Sequence, residues 1–294
     1  MSALNGLTVR YETSIRSSPN GEFMNLRQQL FGCLMAMIGA IAHAQETLGL
    51  DYVNPGSGEK IRLEAFLYSS PKPNGKVIVF SHGSTGGNRA VIAESIKFMR
   101  IGKLAADRGY HLVSFMRKGR GKSEGAFLEE TGRCDRSSLT SEVADAYPQL
   151  SQVVDWSRRR FNVEKVILMG HSRGGFLSAH FSAQNPDRSL ASVNLAGVWS
   201  AFCEGRNGGF SHDTLKNAAT QFRHMYWAYF ENDTYFAVDR FNDPQYDWMS
   251  QTANQAGIRF KKYPQLDMKD GHATPTWRPE VWANDVFDWL DTLQ

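Results

Sequence analysis

Residues 168–175 read Leu168-Met169-Gly170-His171-Ser172-Arg173-Gly174-Gly175, a serine set between glycines where one pattern of residues gives way to another. Before it, Val166–Met169 is a continuous apolar run of strand length; after it, Gly175–Gln184 is helical in character. A strand that turns this sharply into a helix forces its central residue into a strained backbone state. The residues two positions to either side must then be close to zero in size. The hydroxyl is left exposed at a helix N-terminus, where N–H groups and the helix dipole favour a developing anion. A bare G-x-S-x-G arises often by chance, and a glycine-rich loop with a capping serine is the plain alternative. The strand before it, the helix after it and the additional Gly175 favour the turn.

Strand and helix patterns alternate outward from this point. Ile61–Tyr68 alternates apolar and polar residues, while Lys76–Ser81 is a continuous apolar run, as expected for a sheet covered on both faces. Ile92, Ile96 and Met99 are spaced as one face of a helix, followed by a strand at His111–Phe115. Val143, Ala146, Leu150, Val153 and Val154 share one helical face. Val193–Val198, Met225–Phe230 and Ile258–Tyr263 are further strand candidates. A closing helix carries the stripe Trp282, Val286, Trp289, Leu290 and Leu293. Alternation on this scale predicts one α/β domain over residues 45–294, a mostly parallel, doubly wound sheet with helices on both faces and no large cap domain.

Composition sets the outer limits. Of 294 residues, 41% are hydrophobic and 21% charged, which excludes a disordered chain, a collagen-like fibre and a polytopic membrane protein. The formal net charge of +3 gives no support for a nucleic-acid partner, which needs a concentrated basic face.

Residues 24–45, MNLRQQLFGCLMAMIGAIAHAQ, follow the order of a secretory signal: the cation Arg27, an apolar run over residues 30–42, then Ala42-His43-Ala44. That run is well short of the roughly 20 residues that span a bilayer. The expectation is a signal peptide at 24–44, an upstream extension at 1–23 and an exported chain without membrane attachment after cleavage. A buried or amphipathic N-terminal helix is the rival. Cleavage after Ala44 would leave Cys134 and Cys203, and oxidising conditions make them a candidate disulfide, against two buried thiols.

On the Ser172 turn and its setting, the chain resembles the α/β-hydrolase family over nearly all of residues 45–294. The resemblance implies a serine–acid–histidine order along the chain. His272, in Lys269-Asp270-Gly271-His272-Ala273, stands after the last strand and before the last helix, where the family carries its base. The strand Met225–Phe230 runs into Glu231-Asn232-Asp233-Thr234, similar to a family turn whose aspartate orients the imidazole. Asp233 is therefore the expected acid, with Glu231 and Asp239 as rivals. Ser81-His82-Gly83-Ser84-Thr85-Gly86-Gly87 resembles the His-Gly-x loop, which makes the N–H groups of Ser84 and Arg173 the expected oxyanion hole. His82 is expected to buttress this loop. Residues 115–125 resemble the Arg-Gly-x-Gly-x-Ser-x-Gly turn, loosely, because Lys118 separates Arg117 from Gly119. A structural turn with solvated cations is the expectation there, and a pocket for anionic substrates the alternative.

The resemblance implies acyl transfer: Ser172 attacks a carbonyl, His272 carries the proton, and water releases the acyl-enzyme. This chemistry needs no metal or organic cofactor, and no HExxH, CxxC or dinucleotide glycine loop occurs. The chain looks most like the single-domain group related to dienelactone hydrolases and prolyl-oligopeptidase catalytic domains. It has Ser172 where dienelactone hydrolase has cysteine, and it has no length for a propeller. Segments 126–140 and 202–222 are the places for a lid, and both are short, so an open site is expected. A small-molecule ester is the expected substrate; peptidase or amidase activity is the second reading, and a non-catalytic binding protein on this scaffold the third. Phe210, Phe222, Tyr226 and Trp227 are expected to be packing residues. Oligomeric state is not readable.

Overall fold

The structure is a computed structural model that describes residues 45–84, 89–129, 132–200, 203, 209–221, 223–234, 245–264 and 270–294, with residues 245–248 described by backbone alone. The expected signal segment and upstream extension lie outside the described residues. Eight strands form one sheet in the order β1-β2-β4-β3-β5-β6-β7-β8. They are β1 (Gln45–Val53), β2 (Lys60–Tyr68), β3 (Val77–Ser81), β4 (His111–Phe115), β5 (Val166–His171), β6 (Ser189–Leu195), β7 (Met225–Phe230) and β8 (Arg259–Tyr263). β1 and β2 pair antiparallel, β2 lies antiparallel on β4, and every pairing from β4 to β8 is parallel.

The described helices are α1 (Arg89–Ile92), α2 (Met99–Asp107), α3 (Arg136–Phe161), α4 (Arg173–Gln184), α5 (Phe210–Ala218), α6 (Gln245–Gln255), α7 (Thr274–Trp277) and α8 (Ala283–Asp291). Every residue of β3 and β7 is buried. Strands buried at both odd and even positions have both sheet faces covered, which is why they read as unbroken apolar runs. Among the described residues no large cap covers the C-terminal ends of the strands.

Several expectations shift. The helix read from Ile92, Ile96 and Met99 is broken: α1 ends at Ile92 and α2 begins at Met99. Phe98 between them takes a left-handed backbone (φ 53°) and packs its ring 4.6 Å from Phe80, so packing overrides the helical spacing. β6 lies four residues upstream of its expected start because Ser189 and Ser192 are buried within it, and Ala196 (φ 49°) turns the chain away. β1 carries no apolar alternation strong enough to announce it: it is an edge strand, and only Leu50 and Tyr52 are buried.

Cys134 and Cys203 are joined by a disulfide, with 5.1 Å between their Cα atoms. It ties the connection between β4 and α3 to the connection between β6 and α5. Both leave the sheet at the C-terminal ends of parallel strands, the end to which β5 delivers Ser172. Chain entropy assigns such a closure, spanning 69 residues, roughly 4 kcal/mol.

Candidate active site

Ser172 sits between β5 and α4 with φ 55° and ψ −124°, a backbone state that side chains rarely adopt. Its peptide is held at both ends: its N–H donates to the Leu195 carbonyl (3.0 Å), and its own carbonyl accepts from Phe176 (3.0 Å) and Val198 (3.2 Å). The glycines are required by close approach. A Cβ on Gly174 would lie 2.0 Å from the Ser81 carbonyl oxygen, and one on Gly170 would lie 2.3 Å from the Gly174 backbone. The elbow is thus packed by main chain against main chain.

Three side chains distant in sequence meet here. Ser172 Oγ lies 2.9 Å from His272 Nε2, and His272 Nδ1 lies 2.9 Å from Asp233 Oδ2. Each of these residues is buried. The carboxylate can only accept, so Nδ1 carries the proton and Nε2 faces the serine hydroxyl as an acceptor. Of the two rival acids, Glu231 is exposed and lies 3.9 Å from Lys262, and Asp239 falls outside the described residues.

The loops that carry the acid and the base are tied together at the backbone. Gly271 N–H donates to the Asn232 carbonyl (2.9 Å), within the turn whose Asn232 has φ 55°. Asp270 Oδ1 accepts from the N–H groups of Thr234 (3.1 Å) and His272 (2.9 Å), so one carboxylate oxygen spaces the residue after Asp233 from the histidine. Asp270 was not among the residues expected from sequence. The local signal was Asp270-Gly271-His272, an acceptor two residues ahead of an N–H that needs one.

The segment Ser81–Ser84 passes against the nucleophile: a Cβ on Gly83 would lie 2.9 Å from Ser172 Cβ. His82 buttresses it. The His82 Nε2 accepts from Arg117 N–H (3.0 Å), which puts the proton on Nδ1, and Nδ1 donates to the Gly83 carbonyl (2.6 Å). Burial first, and the Arg117 guanidinium second, hold this imidazole well below its ordinary value, hence neutral. Arg117 adds a hydrogen bond from Nη1 to the His82 carbonyl (2.7 Å) and grips Glu129 through Nε and Nη2. Burial alone would raise the Glu129 carboxyl; the guanidiniums of Arg117, Arg173 and Arg120 hold it well below the usual range.

The expectation of solvated cations in this turn is therefore corrected. Arg117, Lys118 and Arg120 are all buried. Arg120 lies against Glu129 (3.5 Å) and over the Phe127 ring, and Lys118 pairs with Asp145. A buried cation persists only with such partners.

Arg173 is the first residue of α4, so its N–H belongs to the helix end that lacks internal acceptors. Its side chain turns away to Glu142 (2.9 Å), whose Oε2 also accepts from Trp199 Nε1 (3.1 Å). Ser84 is exposed at the end of the Ser81–Ser84 segment. Phe210, Tyr226 and Trp227 are core residues, as expected, and Phe222 lies outside the described residues.

A doubly wound sheet with a buried serine, histidine and aspartate at its C-terminal edge defines a hydrolase scaffold. The profile of the alpha/beta hydrolase fold matches residues 76–264, more than half of the sequence, and the chain belongs to this family. Among solved structures it is similar to the Pyrococcus furiosus esterase Pf2001, with a TM-score of 0.58 and 14% identity, covering 85% of this chain and 91% of that one. It is also similar to Est1E from Butyrivibrio proteoclasticus, determined with ferulic acid bound, with a TM-score of 0.57, 15% identity and coverage of 82% and 98%. An acylaminoacyl peptidase superposes with a TM-score of 0.58 at 13% identity, over 88% of this chain and 43% of the peptidase. At such identities the likeness is one of fold. Abhydrolase domain-containing protein lid-1 of Caenorhabditis elegans is 31% identical over 68 residues, a stretch of 23% of this chain and 19% of that relative.

Proposed function

We propose that the chain is a serine hydrolase that cleaves carboxylic esters through an acyl-enzyme on Ser172. The observation that carries this reading is the continuous relay from Asp233 Oδ2 to His272 Nδ1 and from Nε2 to Ser172 Oγ, each step 2.9 Å. His272 Nε2 takes the hydroxyl proton as Ser172 Oγ bonds to the ester carbonyl carbon. Asp233 holds the imidazole in the required tautomer and stabilises the imidazolium that forms. The carbonyl oxygen, now negative, is received by the N–H groups of Arg173 and Ser84. Collapse passes the proton from His272 to the departing alkoxide, and water, activated by the same imidazole, releases the acid and restores Ser172.

The likeness to the esterase Pf2001 supports ester chemistry, and the likeness to an acylaminoacyl peptidase supports an amidase as the second reading. Export is proposed on the signal-like segment 24–44 together with the Cys134–Cys203 disulfide, a bond that persists in oxidising compartments.

The test is turnover of short and medium p-nitrophenyl esters by the protein and by Ser172→Ala. The expected result is burst-type hydrolysis whose kcat falls about a millionfold in the variant. Matched ester and anilide substrates of one acyl group rank the two hydrolase readings. A protein that neither turns over esters nor reacts at Ser172 with a fluorophosphonate probe would be a binding protein on a hydrolase scaffold, and the proposal would fall.

A further inference from the structure

His171 stands immediately before Ser172, yet the acyl-transfer relay does not use it. Its ring reaches the peptide of the base. His171 Nε2 lies 2.6 Å from the backbone carbonyl oxygen of His272, a contact between residues 101 positions apart. A carbonyl cannot donate, so Nε2 carries the hydrogen and donates it. The two imidazole rings lie 4.9 Å apart, and the Nδ1 edge of His171 faces Gly83: a Cβ there would come within 3.1 Å of it.

We propose that His171 is a positioning residue for the base, gripping the His272 carbonyl from the nucleophile's own strand while Asp270 grips the His272 N–H. The inference rests on the reading of His272 as the base and deepens it. The bond from the His272 N–H to Asp270 and the bond from the Gly271 N–H to the Asn232 carbonyl tie the peptide of the base to the turn that carries the acid. With His171, the histidine backbone is fixed relative to β5, the element that also fixes Ser172. The Ser172–His272 distance is then set by two rigid attachments instead of by the loop that follows β8. The charge state fits this role. Burial first, and the neighbouring His272 second, push the His171 imidazole down to about 3, so it stays neutral and does not oppose the imidazolium that His272 must become.

Two variants separate positioning from packing. His171→Gln keeps an N–H donor near the Nε2 position, and His171→Leu keeps bulk without a donor. The expected result for His171→Leu is a kcat lowered by about 100-fold with KM little changed, as follows from misplacing a reacting group by about an ångström. The acid limb of its kcat/KM profile should move to lower pH, because a loosened Asp233 contact stabilises the imidazolium less. His171→Gln should restore most of kcat and the wild-type pH profile. Thermal midpoints of both variants are read alongside. If Leu does not fold, His171→Asn replaces it, since its shorter amide cannot reach the carbonyl.

Unchanged kcat and pH profile in the donorless variant would overturn the proposal. So would a Gln variant no better than the donorless one, which would mark His171 as a packing residue. Absence of both ester turnover and Ser172 labelling in the unmodified protein would instead remove the hydrolase reading beneath it. Should Ser172 label without turnover, the rate of fluorophosphonate labelling in the same variants gives the same ranking.

Discussion

The two halves of the candidate site are built by different means. The nucleophile half is main chain packed on main chain: β5, the turn at Ser172, α4 and the Ser81–Ser84 segment approach so closely that Cβ atoms are excluded at Gly170 and Gly174. The acid–base half consists of two loops after β7 and β8, joined by side-chain and backbone hydrogen bonds at Asn232 and Asp270. Close main-chain approach recurs in the second half, where a Cβ on Gly271 would lie 2.0 Å from the Glu231 carbonyl oxygen. What sets the second half apart is that its functional side chains are oriented by polar contacts, Asp270 on the His272 N–H and Asp233 on the imidazole.

The largest effect that would sharpen this contrast is that of Asp233→Asn. It keeps the shape of the carboxylate but leaves the wrong imidazole tautomer, and kcat should fall about 10⁴-fold, far beyond any accompanying loss of stability. Steady-state kinetics beside urea denaturation reads both. Gly174→Ala should do the reverse. Its methyl group meets the Ser81 carbonyl, so folding stability should fall by about 3 kcal/mol and activity should fall with it. A Gly174→Ala protein as stable as the parent would break the steric account of the nucleophile half.

The smallest effect per pH unit falls within the nucleophile half, where His82 and His171 are both held neutral by the fold, with values below the ordinary 6.5. Below that pH the unfolded chain binds protons that the folded chain refuses, so stability falls on acidification, and for His171 it continues to fall down to about 3. The buried His82 alone contributes up to about 1.4 kcal/mol per pH unit. Urea midpoints on either side of pH 6.5 should show the decline, and His82→Gln should make it shallower.

The same contrast governs what could be read from sequence. Ser172 was legible because its requirements are local: a strand, small neighbours and a helix, all within a few residues. His272 and Asp233 were legible through their order along the chain and their places at strand ends. Asp270 and His171 were not, because each acts through a partner peptide whose nearness only the folded sheet creates. The cations of residues 117–120 were misread for a related reason. Their burial depends on Glu129 and Asp145, and no spacing rule places those carboxylates over the turn. β1 escaped because an edge strand with two buried residues has no periodicity to detect.

The Cys134–Cys203 bond has a topological consequence. It closes residues 134–203 into a covalent ring that contains β5, Ser172, α4 and β6, while Asp233 and His272 lie on the linear tail that follows. The site is therefore assembled between a cyclic piece of chain and an open one. A single proteolytic cut inside the ring leaves the polypeptide in one piece until the disulfide is reduced. A cut on the tail between residues 203 and 233 separates the serine from both of its partners at once.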